Sequence, residues 1–350
     1  MWQMSNKGRG VKMTKEEKKD WQILYELGEQ ILNLKPWKVL WDSNLCYFKD
    51  KDTHEEYYFC TMGHNKEFRG VSVYTKEQFK SYYEIAFAKY PSLLMLNYQE
   101  CVTCTYCEEE EVIPRNIEII NELGLNFKKD WISFEAFKKG YFPSAIDHEQ
   151  VKMLNRVLPH YLELVKDYIK NKIHAEFNEG KLYTRTFNKE SKEYENKIDD
   201  LKPYKVTYSF HNLPFKMVQN IQKCRKRNYT LEVDFLNFLG IHIKEFEEDN
   251  GIVRCPVGKF IADHGGFIFY CQIDDIKKYK NKEEYVMNFF EELLKVFKEV
   301  GLPSKILVRD RETLSYINEI VEIIGCEVEI SPKLFGIDHI YEAFSQNNGF

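Results

Sequence analysis

Tyr229-Thr-Leu-Glu-Val-Asp-Phe-Leu-Asn-Phe-Leu239 decides the fold of the last third of the chain, together with four later runs. These are Gly258-Lys-Phe-Ile-Ala262, Phe267-Ile-Phe-Tyr-Cys-Gln-Ile273, Lys305-Ile-Leu-Val308 and Glu327-Val-Glu-Ile330. Each is short, rich in β-branched or aromatic residues and bounded by turn residues, which is the pattern of a strand. The second and third form a hairpin turning on Asp263-His-Gly-Gly266. Helical spacing separates the later runs. Val286, Phe289, Phe290, Leu293, Phe297 and Val300 share one face of a helix, a second helix spans Arg311 to Ile324, and a last one covers Ile337 to Phe344. The order over residues 229–350 is βββαβαβα. Right-handed crossovers then place the last two strands parallel to one another, beside an antiparallel meander.

Working outward, residues 1–13 read as a disordered leader. Thr14-x-x-Glu17 is a capping box that starts a helix ending before Pro36. Strand-like runs follow at Val39 to Phe48, Tyr57 to Met62 and Phe68 to Tyr74. Thr75-x-x-Gln78 caps a helix running to about Tyr90, and a strand from Leu93 to Cys107 leads to a helix from Pro114 to Leu123. Residues 134–143 read as irregular. Asp147-x-x-Gln150 caps a long helix reaching about His174. Strands at 181–187 and 205–210 flank a charged loop at 188–203, and a helix from Phe215 ends in the basic cluster Lys223, Arg225, Lys226 and Arg227. The expected organisation is α+β throughout. The leader (1–13) precedes a β-meander-plus-helices domain (14–145), a connecting helix, hairpin and helix (146–228), and the βββαβαβα domain (229–350). The first domain repeats the cadence strand, strand, strand, helix, strand, helix.

The chain has 350 residues, 43% hydrophobic and 30% charged, a profile of a folded protein with two or three domains at roughly 150 residues each. Its 50 Lys and Arg against 55 Asp and Glu give a net charge of −5, which excludes a bulk nucleic-acid coat protein while leaving room for a local basic patch. No apolar run approaches the roughly 18 residues of a membrane helix, and the polar N-terminus has no signal-peptide core. Nine cysteines without such a signal read as reduced intracellular thiols, so the expected location is the cytoplasm.

Cys101-Val-Thr-Cys104-Thr-Tyr-Cys107 has the CxxC spacing of a zinc knuckle. Its composition is that of a strand, however, and alternation turns Cys104 away from Cys101 and Cys107. A buried strand is the expectation. The sequence has no phosphate-binding glycine loop, nucleophile elbow or HExxH arrangement. Asp234 is unusual because Asp is disfavoured inside strands. It shares a face with Glu232, Leu236 and Phe238, and an edge or solvent-facing position would account for it. Asp310 stands where a helix N-cap stands. Asp338 borders the apolar face of the last helix, and Glu342 lies farther out.

Two resemblances follow from these residues. Lys35-Pro36-Trp37, Leu123-Gly124-Leu125, Trp131, Gly140-Tyr-Phe-Pro143 and Leu302-Pro303 resemble an uncharacterised bacterial family carrying two adjoining domains of unknown function. That resemblance implies no activity. Residues 229–345 are similar to the ribonuclease H-like catalytic core of transposases and integrases. That core carries an Asp in its first strand, a second after its fourth strand and an acid on a late helix. Leu231-Glu-Val-Asp234-Phe, Ile306-Leu-Val-Arg-Asp310 and Asp338 or Glu342 occupy those places. The family's small residues after the second Asp are replaced by Arg311 and Glu312.

Two functions are therefore carried forward. The leading one is a non-catalytic binding or interaction protein with a degenerate ribonuclease H-like domain and no cofactor, whose partner is unknown, with protein and nucleic acid both open and a membrane excluded. The alternative is a nuclease acting on DNA or RNA, with Asp234, Asp310 and Asp338 as catalytic ligands of Mg²⁺.

Overall fold

A computed structural model describes residues 13–66, 68–86, 94, 98–202, 212–238, 243–248 and 252–347. Most of the expected leader, the strand expected at 205–210 and the end of the helix expected to reach Tyr90 lie outside them. The architecture is mixed α and β, with two mixed sheets and helices on their faces.

Helix α1 (Lys15–Leu34) starts on the expected capping box: the Thr14 amide donates to Glu17 Oε2 at 2.7 Å and the Glu17 amide to Thr14 Oγ1 at 3.2 Å. Strands β1 (Cys46–Lys49), β2 (Glu56–Met62), β3 (Arg69–Thr75), β4 (Cys101–Cys107), β5 (Trp131–Phe137) and β6 (Ser144–Ala145) form an antiparallel meander. β7 (Lys181–Asn188) adds to the meander parallel to β1, and β8 (Glu193–Asp200) closes the edge, giving the order β6-β5-β4-β3-β2-β1-β7-β8. Helices α1 and α4 (His148–Asn171) bury Trp21, Leu24, Ile31, Leu154, Tyr161 and Val165 against one sheet face, with Phe59, Val71 and Phe134. α2 (Phe79–Ala86) covers the other face through Phe79, while α3 (Pro114–Leu123) contributes Ile119 and Ile120 to the first.

Three expectations about this unit need correction. Residues 134–143 are not irregular throughout, because Trp131–Phe137 pairs along the whole of β4 and buries Ile132 and Phe134. Within the charged loop expected at 188–203, Glu193–Asp200 is a strand, β8. Only a four-residue turn separates β7 from β8, whose Glu193, Glu195 and Lys197 face solvent at the sheet edge, where polar side chains discourage further strand pairing. The strand expected at Val39 to Phe48 shortens to Cys46–Lys49. Cys101-Val-Thr-Cys-Thr-Tyr-Cys107 is a strand as expected. Cys101 and Cys104 are buried in cores on opposite sheet faces, and all nine cysteines are free.

After α5 (Phe215–Gln222), the last third follows the expected order. It comprises β9 (Thr230–Asn237), β10 (Val257–Asp263), β11 (Ile268–Asp274), α6 (Lys282–Glu299), β12 (Lys305–Val308), α7 (Arg311–Ile324), β13 (Glu327–Ile330) and α8 (Phe335–Asn347). The sheet order is β11-β10-β9-β12-β13. β10 runs antiparallel to both its neighbours, and β9, β12 and β13 are mutually parallel. Leu231, Val233 and Phe235 of β9 pack with α6 and α7, and the alternate residues Leu236 and Phe238 pack with Ile337 and Ile340 of α8. The two units differ in connectivity despite their shared cadence. In the first, β4 joins β3 antiparallel; in the second, β12 joins β9 parallel.

The units touch. The Phe142 amide donates to the Val253 carbonyl and the Cys255 amide to the Gly140 carbonyl, each at 2.9 Å, with Phe142, Val253 and Cys255 forming a small core. Lys139 pairs with Glu312 of α7, and the Tyr98 hydroxyl donates to the Phe235 carbonyl at 2.7 Å. Among the described residues no helix is long and apolar enough to cross a membrane.

Candidate functional site

Strand alternation puts Glu232 and Asp234 on the α8 side of β9, the middle strand of the sheet. Both are fully buried. The edge or solvent-facing position expected of Asp234 is therefore wrong; a partner explains its burial instead. That partner is Arg309, the residue after β12, whose side chain is itself fully buried.

The guanidinium of Arg309 satisfies three acceptors at once. Nε donates to Asp234 Oδ2 at 2.7 Å, Nη2 to Asp338 Oδ1 at 2.5 Å and Nη1 to the Pro332 carbonyl at 2.9 Å. The remaining carboxylate oxygens are also engaged, Asp234 Oδ1 by the Phe235 amide at 2.9 Å and Asp338 Oδ2 by the Leu334 amide at 3.1 Å. A planar guanidinium suits this role, since its donors match carboxylates in fixed directions. Burial pushes the Asp234 carboxyl up to about 6, against the downward pull of Arg309. The same two carboxylates hold Arg309 firmly protonated despite its burial.

Glu232 completes this face. Its Oε2 accepts from the Gly336 amide at 2.8 Å and the Ile337 amide at 3.3 Å, and its Oε1 meets His264 Nδ1 at 2.7 Å. A carboxylate at the first turn of α8 satisfies amides that the helix leaves open and complements its dipole. Glu232 thus fixes α8, and with it Asp338, against the sheet.

Asp310 performs a different task. Its Oδ1 caps α7 by accepting from the Thr313 amide at 2.7 Å, and burial raises its carboxyl. Of the three acids singled out in the sequence, Asp234 and Asp338 meet through Arg309, while Asp310 serves its own helix. Glu342 is exposed and stands 3.7 Å from His339.

A Mg²⁺ ion bound by these acids would need carboxylate oxygens about 2.1 Å away. Asp234 Oδ2 and Asp338 Oδ1 already bind the Arg309 guanidinium, and their other oxygens accept backbone amides. The residues present do not fit the metal. Among the described residues no group of three or more His, Cys, Asp or Glu is arranged to hold one.

The first unit closes over the same end of the sheet. Tyr98 bonds to the backbone one residue after Asp234, and Lys139 stands 4.9 Å from the centre of its ring. Glu312 joins the contact: it pairs with Lys139, with Lys282 at 2.9 Å and with the Tyr316 hydroxyl at 2.7 Å. Burial raises the Glu312 carboxyl, but the two lysines overcome this and hold it at about 2.

Sequence reasoning missed Arg309, Glu232 and Tyr98. Arg309 had one visible signal, a charged residue closing the apolar run Ile306-Leu-Val308. The other two contacts depend on tertiary approach.

No curated protein and no solved structure gives a significant match. Residues 21–185 match the family model described as domain of unknown function DUF7309, and residues 217–345 match that of domain of unknown function DUF6930. The chain carries these two adjoining domains of unknown function.

Proposed function

We propose that this is a cytoplasmic, non-catalytic binding or interaction protein of bacterial type, whose C-terminal unit is a ribonuclease H-like domain with its acid centre closed. The fold comparison is supported by the sheet itself, a three-stranded antiparallel ribbon extended beyond β9 by two parallel crossover strands. The observation that carries the functional reading is the buried Arg309, bonded to both Asp234 and Asp338. A positive group held between two carboxylates substitutes for a metal electrostatically, and it supplies neither a Lewis acid nor an activated water. Tyr98 and Lys139 support the same reading by covering that end of the sheet. The nine free thiols agree with a reducing compartment, which cell fractionation tests.

The nuclease alternative requires Asp234, Asp310 and Asp338 to release their present partners. The test is incubation of labelled DNA and RNA with Mn²⁺ and either wild type or Asp234→Asn. The closed-centre reading expects equal residual cleavage by both proteins. Cleavage by wild type that Asp234→Asn abolishes would establish the nuclease.

A further inference from the structure

At the opposite end of the second sheet, three helices end close together. Lys223 is the C-cap of α5, Lys298 lies in the last turn of α6, and a Cβ placed on Gly325, the C-cap of α7, would lie 4.0 Å from Lys226 Nζ. Cations at helix C-termini complement the dipole, and that accounts for these three lysines. It does not account for Arg225 and Arg227.

The backbone presenting those arginines is pinned. The Leu302 amide donates to the Arg225 carbonyl at 2.7 Å and the Arg227 amide to the Leu302 carbonyl at 2.8 Å, making a parallel bridge between Lys226 and Leu302. In this extended segment Lys226 points one way and both arginines the other. The stem of Arg227 passes over Gly301, where a Cβ would stand 2.6 Å from Arg227 Cγ. All five cations are exposed, and none forms an ion pair among the described residues. Nearby Lys305, by contrast, pairs with both Glu327 and Glu329.

We propose that this ridge of Lys223, Arg225, Lys226, Arg227 and Lys298 binds the phosphodiester backbone of a nucleic acid. The inference rests on the non-catalytic binding reading and names the partner class. Three features favour a nucleic acid over an acidic protein surface. Two residues of extended chain separate Arg225 from Arg227 by about 6.6 Å, a distance comparable to that between successive phosphates of one strand. Among the described residues the exposed hydrophobic side chain on these helices is Phe215, at the far end of α5 and about 12 Å along it from Lys223, so the ridge itself lacks the apolar centre of a protein interface. The positive charge is local, on a chain with a net charge of −5, which suits a contact driven by counterion release.

The test is fluorescence anisotropy of labelled single-stranded DNA, single-stranded RNA and duplex DNA with the full chain in EDTA, across a salt series. Four or five phosphate contacts give a slope of log K against log salt of about −3 for single strands. Arg225→Ala/Arg227→Ala removes two contacts, which flattens the slope by about 1.4 and weakens binding about 25-fold at 0.1 M salt. Both arginines are exposed, so unfolding curves should show the variant folded; the charge reversal Lys298→Glu provides a second readout and should also weaken binding. No binding by wild type, equal binding by the double variant, or equal competition by poly-glutamate would overturn the proposal. Probe integrity on a gel with Mn²⁺ separates this outcome from the other reading. Cleavage would remove the non-catalytic function, whereas loss of binding alone removes only the ridge.

Discussion

Replacing Arg309 with methionine removes the guanidinium while keeping most of the volume of its stem. It leaves Asp234 fully buried without its counter-charge and Asp338 without its nearest partner. Removing one member of a buried pair costs about 3–5 kcal/mol, a large part of the roughly 5–15 kcal/mol that holds a domain folded. At a urea slope of about 2 kcal/mol per M, the midpoint of the C-terminal unit falls by about 2 M. The probes separate the units, because Trp2, Trp21, Trp37, Trp41 and Trp131 all lie in the first half of the chain. Tryptophan fluorescence therefore follows the first unit and circular dichroism both, so the early transition should appear in the dichroism and be weak in the fluorescence.

The cost also depends on pH. Burial pushes the Asp234 carboxyl from an ordinary 3.8 to about 6, so the folded state binds that proton more tightly than the unfolded chain does. The stability this group contributes is full below about pH 4 and declines as pH rises through 6. Without Arg309 the carboxylate loses its favourable charge and the decline extends to higher pH. The deficit of the variant is accordingly larger at pH 7.5 than at pH 5. Adding Asp234→Asn to Arg309→Met removes the stranded charge and recovers about half the loss at pH 7.5. A loss below about 1 kcal/mol at pH 7.5, or one independent of pH, would refute the reasoning.

Other consequences can be measured separately. Glu312, held at about 2 by Lys139 and Lys282, contributes stability that is full above its ordinary 4.5 and lost as pH falls through 2; Glu312→Gln should flatten the acid limb of the unfolding profile, and an unchanged limb would contradict this. Lys259 is buried, with its amino group donating to the Tyr279 hydroxyl at 2.6 Å and to Asn288. Burial lowers it to about 8, so its Cε resonance should titrate near pH 8 in NMR, and a midpoint above 10 would be inconsistent. Gly301 has φ +108° and no room for a Cβ between Arg227 and the Arg225 carbonyl. Gly301→Ala should cost about 1–3 kcal/mol and also weaken the ridge, whereas a neutral substitution would show that the turn can relax. Cys271 is the one exposed cysteine, and mass spectrometry after brief alkylation should find it modified ahead of Cys101 and Cys104.

The second sheet was legible in the sequence because its apolar runs are short and distinct, and because helices of opposite periodicity separate them. Even so, the position of Asp234 was misread. An acid among Leu231, Val233 and Phe235 looks like a surface residue until a cation reaches it, and that cation is 75 positions away. Parity alone places Glu232 and Asp234 on one face; the register Val308 to Val233 decides that Arg309 arrives there. In the first unit, β8 was hidden because a solvent-facing edge strand can be almost wholly polar, and a run such as Glu193-Tyr-Glu-Asn-Lys has the composition of a loop. β5 was hidden by its end, since the chain leaves the sheet after Phe137 for the contact with Val253 and Cys255.

The central claim is that Arg309 already occupies Asp234 and Asp338, two of the three acids a metal would need. Titration calorimetry of Mn²⁺ into the full chain, with Asp234→Asn as the comparison, tests it most directly. The account predicts no heat of stoichiometric binding at millimolar Mn²⁺ and indistinguishable traces for the two proteins. A bound Mn²⁺ that disappears with Asp234→Asn would contradict it.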